Sequence, residues 1–226
     1  LKIVYTFFMI SFLKKTLIVL PHLDDEFALF PIIRFFKNLE NIGIIYCSER
    51  NQDLTKKKKR REDNIKSLSI FGIQRNSIIY INDYFDVEDN FLFRKTTRIY
   101  KFIEDLYFTC FYEQLLTLNL EGGHPDHDCL ALIVNQIKKK YNVNAFFFPA
   151  YNYRNTLFLP FSVLRPLVSQ EKKAIKLKLK RFFWFDLLKI ALIYKTERKA
   201  FSKLIFSFFY KIIFSDKLLF FDHVDL

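Results

Sequence analysis

From residue 15 onward, short apolar runs alternate with longer stretches in which apolar side chains recur every three or four positions. The short runs at residues 16–20, 44–47, 77–81, 115–120 and 145–148 are rich in branched and aromatic side chains, as buried strands are. Residues 108–112 share that texture and read as a further strand. Between the runs, residues 26–39, 61–71, 95–106 and 128–141 have helical spacing. Pro31 must sit in the first turn of the first helix or kink it, and Gly72 is a stop signal for the second. The third presents Ile99, Phe102, Ile103 and Leu106 on one face. The fourth presents Leu130, Ile133, Val134 and Ile137, and its terminal Lys138, Lys139 and Lys140 suit the negative end of a helix dipole. Residues 48–64 are polar throughout and lead into the helix at 61–71, residues 82–93 have no clear period and read as a loop, and no internal repeat is present. Strand and helix in alternation predict an α/β fold, Rossmann-like, with a mostly parallel sheet flanked by helices.

The texture shifts near the ends of the chain. Residues 1–14 read as an N-terminal extension, residues 15–168 as the α/β domain, and residues 169–226 as a basic, aromatic C-terminal extension packed on it. The alternative for that last segment is a cationic, aromatic face resting on a membrane, because such side chains favour the headgroup zone. The apolar stretch at residues 3–13 is shorter than the roughly 20 residues of a transmembrane helix. It also lacks the small-residue cleavage site of a signal peptide. Met9 is the only methionine and the expected start, with residues 1–8 upstream of it.

Composition narrows the class without choosing a function. At 51% hydrophobic and 19% aromatic residues, the chain is no disordered polymer. Its formal net charge of +12 asks for an acidic partner, whether nucleic acid, an anionic membrane surface or a phosphorylated substrate. Cys47, Cys110 and Cys129 are odd in number and have no CxxC spacing, so neither a disulfide framework nor a cysteine zinc site is implied. A reducing cytoplasm is the expected compartment.

The candidate chemistry lies where two of the apolar runs stop. The run at 16–20 ends in Pro21-His22-Leu23-Asp24-Asp25-Glu26, and the run at 115–120 ends in Glu121-Gly122-Gly123-His124-Pro125-Asp126-His127-Asp128. Strand ends at the carboxyl edge of a sheet are where open α/β folds keep their ligands. A catalytic zinc site wants three nitrogen or oxygen ligands and one open position. His22 and Asp25, three apart in a turn opening a helix, can reach one point, and His127 can supply the third ligand. Asp24 and His124 then stand beside the ion, the carboxylate as a proton acceptor and the imidazolium as an oxyanion partner. Asp126 is placed to orient His127 from behind. Each motif also has a plain reading. The first could be an acidic helix start favoured by the dipole, and the second a tight turn with polar filler. The basic run Lys56 to Arg61 is either a solvated stretch entering a helix or the source of an arginine that faces the site.

The paired motifs resemble those of the PIG-L/LmbE-like zinc-dependent N-deacetylases, whose signatures are a Pro-His-Pro-Asp-Asp-Glu loop and a later His-Pro-Asp-His loop. The resemblance spans residues 15–153. It implies one zinc, or another divalent metal, held by His22, Asp25 and His127. Asp24 would be general base and proton donor to the leaving amine, and His124 the oxyanion-stabilising residue. Arg60, three before Asp63, matches the family's arginine and is implied to contact substrate. Leu23 stands where proline is commonest, Asp63 where glutamate is, and Phe27-Ala28-Leu29-Phe30-Pro31 replaces the usual glycines. The implied activity is removal of acetyl from an N-acetylated amino sugar or sugar conjugate in glycan biosynthesis, with no nucleic-acid partner and peripheral membrane contact as an option. The alternatives are an amidase acting on another amide or thiol conjugate, and a non-catalytic basic protein that binds membrane or nucleic acid.

Overall fold

Five strands form the sheet that this alternation predicts: β1 (Thr16–Leu20), β2 (Ile42–Tyr46), β3 (Ile78–Tyr80), β4 (Gln114–Leu118) and β5 (Asn144–Phe148). All neighbouring pairs are parallel, in the order β3-β2-β1-β4-β5. The structure is a computed structural model and describes residues 12–36, 38–50, 53–152, 162–163, 175–178, 183–197, 207 and 217–220. Parallel sheets are covered on both faces, which is why their strands are continuous apolar runs and not alternating ones. Ile18, Leu20, Ile44, Tyr46, Leu116 and Leu118 point into one core, and Leu17, Val19, Ile45, Leu115 and Phe147 into the other.

Helices α1 (Glu26–Ile33), α2 (Leu54–Ser69), α3 (Thr96–Thr109), α4 (Pro125–Tyr141) and α5 (Phe183–Ile193) supply the covers. Phe27 and Phe30 of α1, Leu68 of α2, and Leu187 and Ile190 of α5 fill the first core. Ile99 and Ile103 of α3 with Leu130 and Val134 of α4 fill the second. The chain runs outward from β1 through β2 to β3, then returns to β4 and continues the opposite way to β5. Strand order therefore reverses between β1 and β4, the point at which open α/β sheets keep a ligand crevice past the carboxyl ends of their strands. The first His/Asp motif follows β1 and the second follows β4, so topology alone brings the two loops together.

Several element bounds differ from the sequence expectation. Helix α1 stops at Ile33 and does not reach residue 39, because Pro31 inside it has no N–H to extend the ladder. Helix α2 starts at Leu54, so the basic run expected in a loop lies on the helix; the Asp53 carboxylate caps it by accepting from the Lys56 amide at 2.9 Å. Its inward face is Arg60, Asp63, Asn64, Ser67 and Leu68. Four of those five are polar, so no apolar period announces the helix. Residues 108–112 form no strand. Helix α3 continues through Thr109 and closes in a turn with Phe111 at φ 53°, whose neighbours bond back from Cys110 N to Leu106 O and from Tyr112 N to Tyr107 O. Helix α4 starts at Pro125, three residues before its expected start, because proline is pre-organised for the first helical position and gives up no bond there.

Residues 1–11 lie outside the described residues, and with them the expected extension and start at Met9. Phe12 is buried against Phe35 and Phe36. Of the C-terminal segment, the described parts are α5 with the turn through Glu197, Ser207, and an antiparallel ladder of residues Ile175–Lys178 with Lys217–Phe220. The rest of that segment lies outside. Among the described residues no helix is long and apolar enough to cross a membrane.

Candidate metal and active site

The loop after β1 turns directly into α1, with Phe27 N bonding to Asp24 O and Ala28 N to Asp25 O. That turn folds the Asp25 carboxylate back so that Oδ2 accepts from the His22 amide at 2.8 Å and lies 3.1 Å from His22 Nδ1. Across the crevice, the first turn of α4 carries His127 inward and fully buried. Its Nε2 lies 3.3 Å from His22 Nδ1 and 3.4 Å from Asp25 Oδ1. Residues 105 apart in sequence thus share one point.

The far nitrogens fix the ring orientations. His22 Nε2 is 3.0 Å from Asp126 Oδ2, and His127 Nδ1 is 2.8 Å from Glu121 Oε2. Each carboxylate is itself held. Asp126 accepts from the amides of Asn90 and Leu92, and Glu121 Oε1 accepts from the Ala150 amide at 2.9 Å. Asn90 takes the left-handed conformation, φ 72°, that lets the loop deliver its amide. Asp128 in turn accepts from the amides of Glu121 and Gly122, and Gly122 adopts φ 68° there. The expected partner assignment is therefore corrected: Asp126 orients His22, and Glu121, which the sequence does not single out, orients His127. Which side chain a histidine finds behind it depends on the roll of α4 and on a turn that no spacing encodes.

When both rings are neutral and their far nitrogens donate to the carboxylates, the near nitrogens turn lone pairs toward each other and toward the Asp25 carboxylate. A cation at that point, a bound proton or a metal ion, relieves the repulsion. Ligands about 2.0–2.1 Å from a tetrahedral ion stand about 3.3–3.4 Å apart; the two imidazole nitrogens are 3.3 Å apart, and the Asp25 carboxylate meets them with different oxygens, Oδ2 at 3.1 Å from His22 and Oδ1 at 3.4 Å from His127. The residues fit a divalent ion. His22, His124 and His127 also bring one ring nitrogen each close enough together to form a second candidate donor group. Nδ1 of His124 has no hydrogen-bond partner, whereas the far nitrogens of the other two rings each meet a carboxylate.

Electrostatics agree with a cation-seeking pocket. Burial pulls the His22 imidazole down, but Asp25 and Asp126 outweigh it and lift it to about 9. Burial likewise opposes charge on His127, and Asp25 and Glu121 override it upward. Burial pushes the Asp25 carboxyl up, and the two imidazoles beside it hold it well below the usual range. His124 behaves differently. Burial, then His127 and His22, bring it down to about 4. It is a neutral imidazole at pH 7, not the imidazolium the sequence suggests, and it stacks on His127 at a ring distance of 4.4 Å.

Asp24 is partly open, with a side chain 22% exposed, and its Oδ1 pairs with Arg60 Nη2 at 3.3 Å. Arg60, expected against substrate, is buried and faces three carboxylates, those of Asp24, Asp89 and Glu197. Glu26 has a structural place. It accepts from Tyr46 Oη at 2.9 Å and from Tyr194 Oη, and burial lifts its carboxyl to about 8. Tyr194, Thr196 and Glu197 come from the turn after α5, a segment in which the sequence offers no motif.

This fold defines an α/β protein in which two imidazoles and a carboxylate converge at its topological switch point. Among solved structures the chain is similar to deacetylases. A pseudoaglycone deacetylase superposes with a TM-score of 0.60 at 11% identity, covering 93% of this chain and 98% of that one. The N,N'-diacetylchitobiose deacetylase from Pyrococcus horikoshii gives 0.53 at 12%, covering 91% and 82%. A zinc-inhibited form of teicoplanin deacetylase gives 0.53 at 12%, covering 80% and 84%. The fold is that of these deacetylases, as the resemblance of the paired motifs implies. No family model and no curated protein sequence matches the chain.

Proposed function

We propose that the protein is a metal-dependent carbohydrate N-deacetylase that releases acetate from an N-acetylated amino sugar or sugar conjugate. The observation that carries this reading is the convergence of His22 Nδ1, Asp25 and His127 Nε2 within 3.1–3.4 Å, each imidazole backed by a carboxylate. Those three residues are the proposed ligands of one zinc or similar divalent ion, since such donor sets accept several. When bound there, the ion supplies Lewis acidity toward the amide carbonyl and makes water a stronger acid.

The chain's own residues supply the rest. Asp24, next to the ligand Asp25 and open to the cleft, takes the proton of the attacking water and passes it to the leaving amine. His124, neutral and stacked on His127, offers an N–H to the developing oxyanion. Arg60 fixes the Asp24 carboxylate at the edge of the cleft. The sugar substrate rests on the motif resemblance together with structural neighbours that act on chitobiose and on glycopeptide antibiotics. The net charge of +12 suits a carrier bearing phosphate.

The test is metal analysis of the purified protein combined with acetate release over a panel of N-acetylated sugars, sugar nucleotides and glycopeptides. About one zinc per chain, and turnover that Asp24→Ala abolishes, is the expected result. A metal-free protein that binds nucleic acid with a steep salt dependence overturns it.

A further inference from the structure

We propose that Glu197, in the turn that follows α5, is a positioning residue for Asp24 and acts through Arg60; this rests on the deacetylase reading of Asp24. The geometry is a buried fork with one anion on each tine. Arg60 Nη2 lies 3.3 Å from Asp24 Oδ1, Nη1 lies 3.3 Å from Asp89 Oδ2, and Nε lies 3.1 Å from Glu197 Oε1. The Arg60 side chain is 3% exposed, so the partners of its guanidinium are protein groups.

The two carboxylates other than Asp24 are anchored from behind. Asp89 accepts from Ser48 Oγ at 2.8 Å, and Glu197 accepts from Arg50 Nη1 at 3.1 Å on both oxygens. The backbone carrying Glu197 is pinned twice more. Thr196 Oγ1 donates to Asp63 at 3.0 Å, and Tyr194 Oη, whose one proton the Glu26 carboxyl also attracts, lies 2.6 Å from the Leu23 carbonyl inside the first motif itself. Asp89 holds Nη1 by a hydrogen bond, and the Glu197 charge holds Nε at 3.1 Å without hydrogen-bond alignment; together they set the direction in which Nη2 meets Asp24. Asp24 is the least anchored of the three and the only one at the cleft. Removing the Glu197 charge leaves the fork balanced on Asp89 and Asp24 alone. The guanidinium then swings toward Asp24, which becomes misaligned and a poorer proton acceptor.

Glu197→Gln keeps the shape and removes the charge. The expected result is a fall in kcat of about tenfold or more, with KM within about twofold and metal content unchanged. Glu197→Asp restores part of the loss. Arg60→Lys keeps a cation but cannot span Asp24 and Glu197 together, so in that background Glu197→Gln changes kcat by less than about twofold. Additive losses in the two backgrounds, or a kcat that Glu197→Gln leaves untouched, overturn the proposal. A second measurement needs no substrate. The Arg60 Nε–Hε signal in the NMR spectrum of the full chain is expected to move in Asp24→Asn and in Glu197→Gln alike. A signal that ignores Glu197→Gln overturns the link even in an active enzyme. A wild type that releases no acetate while the signal responds to both changes removes the deacetylase reading and leaves the link standing.

Discussion

Replacing Glu121 by glutamine tests how the site holds His127. The wild-type carboxylate accepts twice, from His127 Nδ1 at 2.8 Å and from the Ala150 amide at 2.9 Å, and both bonds are buried. A glutamine has one acceptor oxygen for two donors. If that oxygen stays on Ala150, the amide nitrogen faces His127 Nδ1, which must give up its proton, and the proton moves to Nε2, the atom facing Asp25 and His22. If the amide flips, the Ala150 N–H loses its acceptor, at a cost of about 1–3 kcal/mol. Either way the imidazole is misdirected. Loss of such a supporting carboxylate weakens metal binding about 10- to 100-fold, which is about 1.4–2.8 kcal/mol. Competition for zinc against a chelator of known affinity at neutral pH reads this directly. A dissociation constant within about twofold of wild type refutes the reasoning, because His127 would then be oriented by something else or would not bind the ion.

Asp24→Asn should lower acetate release by about 100-fold or more while leaving zinc content at the wild-type level, since Asp24 handles a proton and is not a ligand; metal loss in this variant contradicts that division of roles. Removal of the ion by a chelator should lower the unfolding temperature, and added zinc should restore it, because a ligand that binds only the folded state stabilises by mass action; an unchanged melting curve counts against a site built on the two core loops. Burial raises the Glu26 carboxyl from 4.5 to about 8. A raised folded pKa stabilises fully below the unfolded value and loses that contribution as pH rises through the folded one. Glu26→Gln, which cannot ionise, should therefore flatten the decline of the urea midpoint between about pH 5 and pH 8, and an unaltered slope contradicts the assignment.

The sheet and both His/Asp loops are legible in the sequence for one reason. Parallel strands buried on both faces are short continuous apolar runs, and His/Asp clusters at their ends have few structural uses. Helix α2 is hidden because its inward face, Arg60 through Ser67, is polar where it meets the site network. Residues 108–112 mislead because aromatic side chains suit a strand and a helix end equally well. The orienting partners Glu121 and Asp126 are close in sequence, and only the roll of α4 and the Gly122 turn decide which histidine each one meets. Tyr194 and Glu197 carry no local signal at all. Their roles depend on α5 docking against α1 and α2, with Tyr194 meeting Asn64 and Leu23 at 130 and 171 residues' separation.

The most direct test is a crystal structure of the zinc-loaded protein with anomalous scattering recorded at the zinc edge. The account predicts one ion bonded to His22 Nδ1, His127 Nε2 and an Asp25 oxygen at about 2.0–2.2 Å, with Asp126 and Glu121 behind the two rings. An ion bound elsewhere, or held by the three histidines with Asp25 turned away, contradicts it.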